Sequence, residues 1–290
     1  MLDVTIGMPV FNGEEFLDEA LSCLCAQTYP HLEILISDNA STDATPEIIE
    51  KWMERDPRIR CVRQESTISA LDNFLWVINN AHGKWFCYAA HDDKWSPNYI
   101  EALLPPLKEN PKAVISVPHQ ILIDKDGREK SERSYRPSGQ DASLVDVVKN
   151  NFSIVHSAWY YALFDRVEFM SLQQSHVYFD KYWGRDFATF IPFLFSNSIV
   201  GSDDAIFYQR DTGVSGEKYR PRNAVDQYQH YRDFWKDFLY YMNKSELSLT
   251  QKILMFPVWL RYVRNVVKFR RMVKTFVKEA LRLRIKKSQF

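Results

Sequence analysis

"TIGMPVFNGEEFLDEALSCLCAQTYPHLEILISDNASTD", residues 5–43, decides the fold. The apolar stretch "DVTIGM" at 3–8 reads as a strand, broken at "PVFNG", where Pro9 and Gly13 punctuate the chain. "EEFLDEALSCLCAQ" then sets Phe16, Leu17, Ala20, Leu21 and Leu24 at the i, i+3/i+4 spacing of a helix. Glu14, Glu15 and Asp18 fall in its first turns, where the helix dipole favours anions. "LEILISD" is a second strand, and its continuous apolar run suits a sheet buried on both faces.

Outward from this unit the alternation continues. "NASTDATPEIIEKWMERD" passes from loop to helix, with Thr45 as N-cap and Pro46 at the first helical position. "RIRCVRQE" is a third strand, and "ISALDNFLWVINNAHG" a helix closed by Gly83. "KWFCYAA" is a fourth strand, "SPNYIEALLPPLKEN" a helix from Pro97, and "AVISVPHQILID" a further strand. Four strand–helix repeats in the first ~120 residues predict an α/β class, a doubly wound, mostly parallel sheet. Ligands of such sheets bind at the carboxyl ends of the strands. Three of those ends carry polar clusters, "PVFNG", "SDNASTD" and "HDD", and should meet in one crevice.

The third cluster poses the chemical question. An apolar run ends in His91, Asp92 and Asp93. Adjacent carboxylates repel unless something positive is near, either a divalent cation or a Lys/Arg neighbour. No GxGxxG follows the first strand and no GxxxxGK[ST] occurs, so a phosphate-bearing ligand would need a metal to neutralise it. Asp92 and Asp93 are hard oxygen donors suited to Mg²⁺ or Mn²⁺ shared with a diphosphate. Asp38 could accept from the imide N–H of a pyrimidine base on which Phe11 stacks. Ser41 and Asp43 read as residues that shape their loop.

These stretches, with "AHGKWFCYAAHDDKWSP" at 81–97, resemble the catalytic domain of glycosyltransferase family 2, of GT-A fold, over roughly residues 3–215. The resemblance implies a nucleotide-sugar donor, UDP-linked, a divalent metal, Mn²⁺ or Mg²⁺, and transfer with inversion to a hydroxyl of a glycan or lipid-linked glycan, as in polysaccharide or cell-surface glycan assembly. It implies that Pro9, Phe11 and Asp38 hold the base, and that Asn12, Asn73, His91 and Asp92 lie on the donor. Asp93, with Asp92, would take the metal. It implies that Asp186, in "FDKYWGRDFATFIPFLF", is the catalytic base, with Asp180 and Glu168 as rivals, and that Arg210, in "YQRDTGVSG", reaches the diphosphate. Inverting transfer is one displacement, so a single carboxylate that deprotonates the acceptor hydroxyl suffices. Three departures stand out. His91 replaces a frequent Asp, Asp72–Asn73 replaces a frequent Arg–Asn, and Arg185 precedes Asp186 where Glu is common. His156 could face the acceptor, and Trp159, Tyr160 and Tyr161 could stack on sugars or fill the core. A nucleotidyltransferase, or a binding module of the same fold without chemistry, is the alternative.

Net charge is zero, but of 37 basic and 37 acidic residues the segment 251–290 holds twelve basic and one acidic, Glu279. Within it Trp259, Tyr262, Val263, Val266, Val273, Phe276, Val277, Ala280 and Leu281 recur at helical spacing among basic positions. That is a basic amphipathic helix, read as lying on an anionic membrane surface, with packing on the catalytic domain as the rival. Nothing else in the chain supports nucleic acid as the partner of that charge. The expected division is a transferase domain at 1–220 and a helical C-terminal segment at 221–290. Four cysteines fit no zinc spacing and read as small buried hydrophobes. No signal peptide or spanning helix is read, so the expected place is cytoplasmic, peripheral on the inner face of the membrane.

Overall fold

The computed structural model describes residues 2–136, 138, 142–174, 189–212 and 223–266. They divide into two compact units. The first comprises Met1–Pro137, Ala158–Ser171 and Ser198–Thr212; the second draws its described residues from 138–157, 172–197 and 213–290.

The first unit is a sheet with helices. Strands β1 (Val4–Val10), β2 (Leu32–Asp38), β3 (Ile59–Arg63) and β4 (Trp85–Tyr88) alternate with α1 (Leu17–Cys25), α2 (Thr45–Met53) and α3 (Ala70–Asn79). Next come β5 (Lys94–Trp95), α4 (Tyr99–Glu109), β6 (Ile115–Ile123) and β7 (Glu129–Arg133). A second described stretch holds β8 (Leu163–Asp165) and the start of α6 (Arg166–Gln174), and a third holds β9 (Ile199–Arg210). The order is β3-β2-β1-β4-β8-β6-β9-β5, with β7 on β6. β1 to β4 run parallel to one another, as do β6 and β9. β5, β7 and β8 pair antiparallel, so the predicted mostly parallel sheet holds for the first half and becomes mixed in the second.

All seven residues of β1 are buried, which accounts for its unbroken apolar run. α1 seats Leu17, Ala20, Leu21 and Leu24 on this sheet, and α4 adds Ile100, Leu103, Leu104 and Leu107. Two predicted helix signals shift. α3 ends at Asn79, not at Gly83. Gly83 is needed for close approach, since a Cβ there would lie 2.5 Å from the Thr5 backbone nitrogen. α4 begins at Tyr99 after Asn98, two residues beyond Pro97. All four cysteines are free; Cys87 is fully buried and the others half-buried. Burial pushes the Cys25 thiol up to about 12 and Cys61 to about 11, so both are inert.

The second unit is helical. α5 (Leu144–Ile154), α7 (Ile191–Leu194), α8 (Ala224–Lys244) and α9 (Leu249–Val266) meet around Phe152, Phe195, Phe238 and Trp259. Ser143 and Asn223 cap α5 and α8 by accepting from Asp146 and Asp226 backbone N–H groups. Asn151 is buried and donates to the carbonyls of Leu194 and Ser196, which α7 leaves unpaired at its end. Trp259 and Tyr262, expected on the membrane-facing stripe, lie instead in this aromatic core, at 1% and 5% exposure. The remainder of the expected basic helix, 267–290, lies outside the described residues. Among the described residues no helix is long and apolar enough to cross a membrane.

Candidate active site

β1 and β2 end side by side, with Val10 in register with Asp38. Pro9 has no N–H to give, and its position is compatible because the pairing of β1 with β4 stops at Gly7. Beyond Val10 the chain turns through Phe11, 45% exposed, and Asn12, which adopts a left-handed φ of 50°. Asn tolerates that conformation because its short side chain can bond locally. Here it does: Asn12 Oδ1 accepts from Thr42 N (2.9 Å), and Asn12 N donates to Ser41 Oγ (2.9 Å). Gly13 N donates to Thr45 Oγ1 (2.8 Å) and Glu14 N to Asp43 Oδ2 (3.1 Å). Glu14 returns a carboxylate to Ala44 N (2.9 Å). The two loops are thus laced together, and Ser41 and Asp43 do shape their loop. Thr45 is the first residue of α2, not its cap; Asp43 Oδ1 accepts the Thr45 N–H.

Asp38 is 2% exposed at its side chain. Its Oδ1 accepts from Ser41 N (3.0 Å) and its Oδ2 from Arg63 Nη1 (2.8 Å). Arg63, half exposed, also donates from Nη2 to Ser41 O (2.7 Å). Arg63 was not singled out from the sequence. It is the β3 register partner of Asp38, a signal that exists only once the sheet is known. Asp72, the departure from Arg, takes the Ser69 hydroxyl at the start of α3. Asn73 is buried under the tip of β2: it accepts from Ser37 Oγ (2.6 Å) and donates to Ser37 O (3.1 Å). Gln64 Nε2 donates to the same hydroxyl (2.9 Å).

β4 delivers the acidic tip to the same end of the sheet. The His91 ring lies against Gly13, where a Cβ would stand 2.8 Å from His91 Cδ2. Any side chain at 13 would push the first and third loops apart. Asp93 is 3% exposed, and its Oδ1 accepts from Arg210 N (2.7 Å) at the end of β9. The Arg210 guanidinium, 3% exposed, donates from Nε to Asp92 O (2.8 Å) and from Nη1 to Lys125 O (2.7 Å). Its Nη2 pairs with Glu19 on α1 (2.6 Å), and the group lies 4.6 Å over the Phe16 ring. Lys94 Nζ also goes to Glu19 (2.8 Å). Both cations beside the tip are therefore committed to Glu19, and among the described residues no ion pair reaches Asp92 or Asp93. Burial pushes the Asp93 carboxyl well above the usual range, and the neighbouring Asp92 charge adds to this; the Arg210 backbone N–H and the Arg210 charge oppose it. Two hard oxygen donors outside any ion pair could supply part of a divalent cation's shell; among the described residues no third His, Cys, Asp or Glu completes a metal-binding group with them.

The sequence-derived set thus falls into three groups. Pro9, Phe11, Asn12, Asp38, His91, Asp92 and Asp93 come together at the ends of β1, β2 and β4. Asn73 and Arg210 are buried in the scaffold behind them. Asp186, and its rival Asp180, lie outside the described residues, while Glu168 is exposed on α6. Trp159 is 1% exposed, Tyr160 stacks on Tyr88 (5.0 Å) and Tyr161 on Phe207 (4.9 Å), so these rings serve the core of the first unit. His156 is buried, at 4%.

The family profile for "Glycosyl transferase family 2" matches residues 5–185. A Rickettsia prowazekii glycosyltransferase, RP339, is 26% identical over 256 residues, 85% of this chain and 74% of its own length. TuaG of Bacillus subtilis, provisionally assigned to teichuronic acid biosynthesis, is 26% identical over 51% of this chain and 57% of its own. The chain spans less than half of the mycobacterial relative Rv1520, at 44%. Among solved structures, Staphylococcus aureus TarS residues 1–349 with UDP-GlcNAc superposes with a TM-score of 0.66 at 14% identity, over 91% of this chain and 73% of that one. A Pyrobaculum calidifontis mannosyltransferase with GDP-Man and Mn²⁺ gives 0.51 at 17% identity, over 88% and 67%. The sheet order, the laced strand ends and a profile that covers most of the chain agree: this protein belongs to glycosyl transferase family 2 and is a glycosyltransferase of GT-A fold.

Proposed function

We propose that the protein moves a sugar from a nucleotide-sugar, UDP-linked, to a hydroxyl of a glycan or lipid-linked glycan in cell-surface glycan assembly, with inversion and with Mn²⁺ or Mg²⁺. On this reading residues 1–220 form the transferase domain and 221–290 the helical segment. One observation carries it: buried Asp93 beside half-buried Asp92, neither in an ion pair among the described residues, held beside a laced, half-open turn at the strand ends. The names of TarS and TuaG support a cell-surface glycan as product, and the UDP-GlcNAc in the TarS structure supports the donor class.

The roles follow from the geometry. Phe11 offers an exposed ring for the base to stack on. Asp38 keeps lone pairs for an imide N–H, and Arg63 beside it has N–H groups to spare for the adjoining carbonyl. Together they would read a base with C=O next to ring N–H. His91, packed on Gly13, closes the wall beside the donor. Asp93 and Asp92 would hold the cation, which when bound offsets charge on the leaving diphosphate. Arg210, whose side chain bonds Asp92 O, Lys125 O and Glu19, would position this tip rather than contact the diphosphate. Asp186 would take the acceptor proton. The basic segment 251–290 would bring the enzyme to an anionic membrane surface, at a cytoplasmic face where lipid-linked acceptors are found.

The test is nucleoside-diphosphate release from a panel of UDP-, GDP- and dTDP-sugars, with Mn²⁺ or with EDTA and no acceptor. Slow release from a UDP-sugar that EDTA stops is expected. Release from no donor, with no donor binding by calorimetry, would favour the binding-module alternative.

A further inference from the structure

α9 is apolar on two sides. Its inner side sends Met255, Trp259 and Tyr262 into the aromatic core, at 0%, 1% and 5% exposure. Its outer side exposes Leu249 at 76%, Ile253 at 60%, Phe256, which touches Trp235 at its ring, at 38% and Leu260 at 54%. Positions 249, 253, 256 and 260 are i, i+4, i+7 and i+11, one continuous stripe along the helix. Contiguous exposed apolar surface of this kind marks a site that binds a partner or a membrane.

The charge chooses between those occupants. No acidic residue occurs from 247 to 278, and Lys252, Arg261 and Arg264 lie on or beside the helix. A second copy of this chain would bring the same positive charge against itself. An anionic bilayer supplies phosphate to the basic groups and acyl chain to the stripe. The helix does not qualify as a span, so it would lie in the plane of the interface.

We propose that the outer face of α9 docks on an anionic lipid surface, with Leu249, Ile253, Phe256 and Leu260 set into the headgroup boundary and Lys252 and Arg261 on lipid phosphates. This deepens the membrane part of the function proposed above and moves the contact from the Trp259–Tyr262 side, which is inward, to the opposite face.

The experiment is flotation of the full chain with vesicles of phosphatidylcholine, alone or mixed with phosphatidylglycerol, at low and high salt. Wild type should float with the mixed vesicles, less at high salt, and not with phosphatidylcholine alone. The double variant Ile253→Gln/Leu260→Gln should lose at least ~tenfold in partitioning while its melting temperature stays put, because both side chains are already exposed. Equal flotation of the variant, or no flotation of wild type, overturns the proposal. So does light scattering that finds a wild-type dimer which the variant reduces to a monomer. Diphosphate release without vesicles, unchanged in the variant, separates the two readings. Release without vesicle binding sinks the docking proposal alone. Vesicle binding without release from any donor sinks the transferase reading alone.

Discussion

The tip of the first unit and the helix pair of the second differ in how completely they are satisfied. At the tip, each backbone donor of Asn12, Gly13 and Glu14 meets a side-chain acceptor on the facing loop, and Arg210 is spent on Asp92, Lys125 and Glu19. Among the described residues Asp92 and Asp93 are in no ion pair. In the helix pair the inner face is equally complete, with Trp259 between Trp235 and Phe238 (3.9 and 5.1 Å), while on the outer face of α9 Leu249, Ile253 and Leu260 stay exposed and Phe256 only touches Trp235 (5.5 Å). On the readings proposed above, the group left unsatisfied in each region would take the partner: a cation in the first, a lipid surface in the second. Rigid surroundings make the first a preorganised site, in which electrostatics act without reorganisation.

The comparison can be broken most directly at Asp93. Asp93→Asn should cut transfer by at least ~10³-fold in kcat, while its melting temperature stays level or rises, because burial already disfavours that carboxylate. Release assays and thermal unfolding check the two halves. On the helix pair, Trp259→Ala should cost about 3–5 kcal/mol by urea unfolding, whereas Ile253→Gln on the outer face should cost less than ~0.5 kcal/mol. Equal costs would mean that the two faces are not distinct. Arg210→Met strips the tip of its brace and leaves Glu19 with Lys94 alone. A loss of about 3 kcal/mol in unfolding free energy is expected, with weaker Mn²⁺ binding in the folded fraction. The smallest effect belongs to Arg63→Met, which should weaken UDP binding about tenfold and cost about 1–2 kcal/mol in unfolding free energy, since half-exposed Arg63 is the cation of the buried Asp38 carboxylate. Its UDP-to-CDP preference should fall; a preference that survives would remove Arg63 from base reading.

Much of this was legible because local pattern and tertiary role coincide. The β1–α1–β2 unit follows from an apolar run, a turn and a 3.6-residue repeat, and the structure places these elements within three residues, with β1 running on through Pro9 to Val10 and α1 starting at Leu17. The clustering of "PVFNG", "SDNASTD" and "HDD" follows from the parallel sheet alone. What was not legible depends on pairing across distance. Arg63 meets Asp38 only through the β2–β3 register, and Arg210 reaches Asp93 from 117 positions away through β9. A strand end rich in charge gives no sign of whether its arginine faces ligand or scaffold. Periodicity also misled at Trp259 and Tyr262. It identifies an amphipathic face, but not which neighbour covers that face, and here Phe152 and Phe238 do. The stripe at 249–260 carries little sequence signal, because between Leu249 and Leu260 only Lys252 is charged and the dense basic positions start at Arg261.

The most direct test of the central claim is Mn²⁺ uptake, read by electron paramagnetic resonance of free Mn²⁺, with and without UDP, for wild type and Asp93→Asn. The account predicts that wild type takes up Mn²⁺ when UDP is present and that the variant, still folded, does not. Equal uptake by both proteins would place the metal elsewhere and contradict the assignment of Asp92 and Asp93.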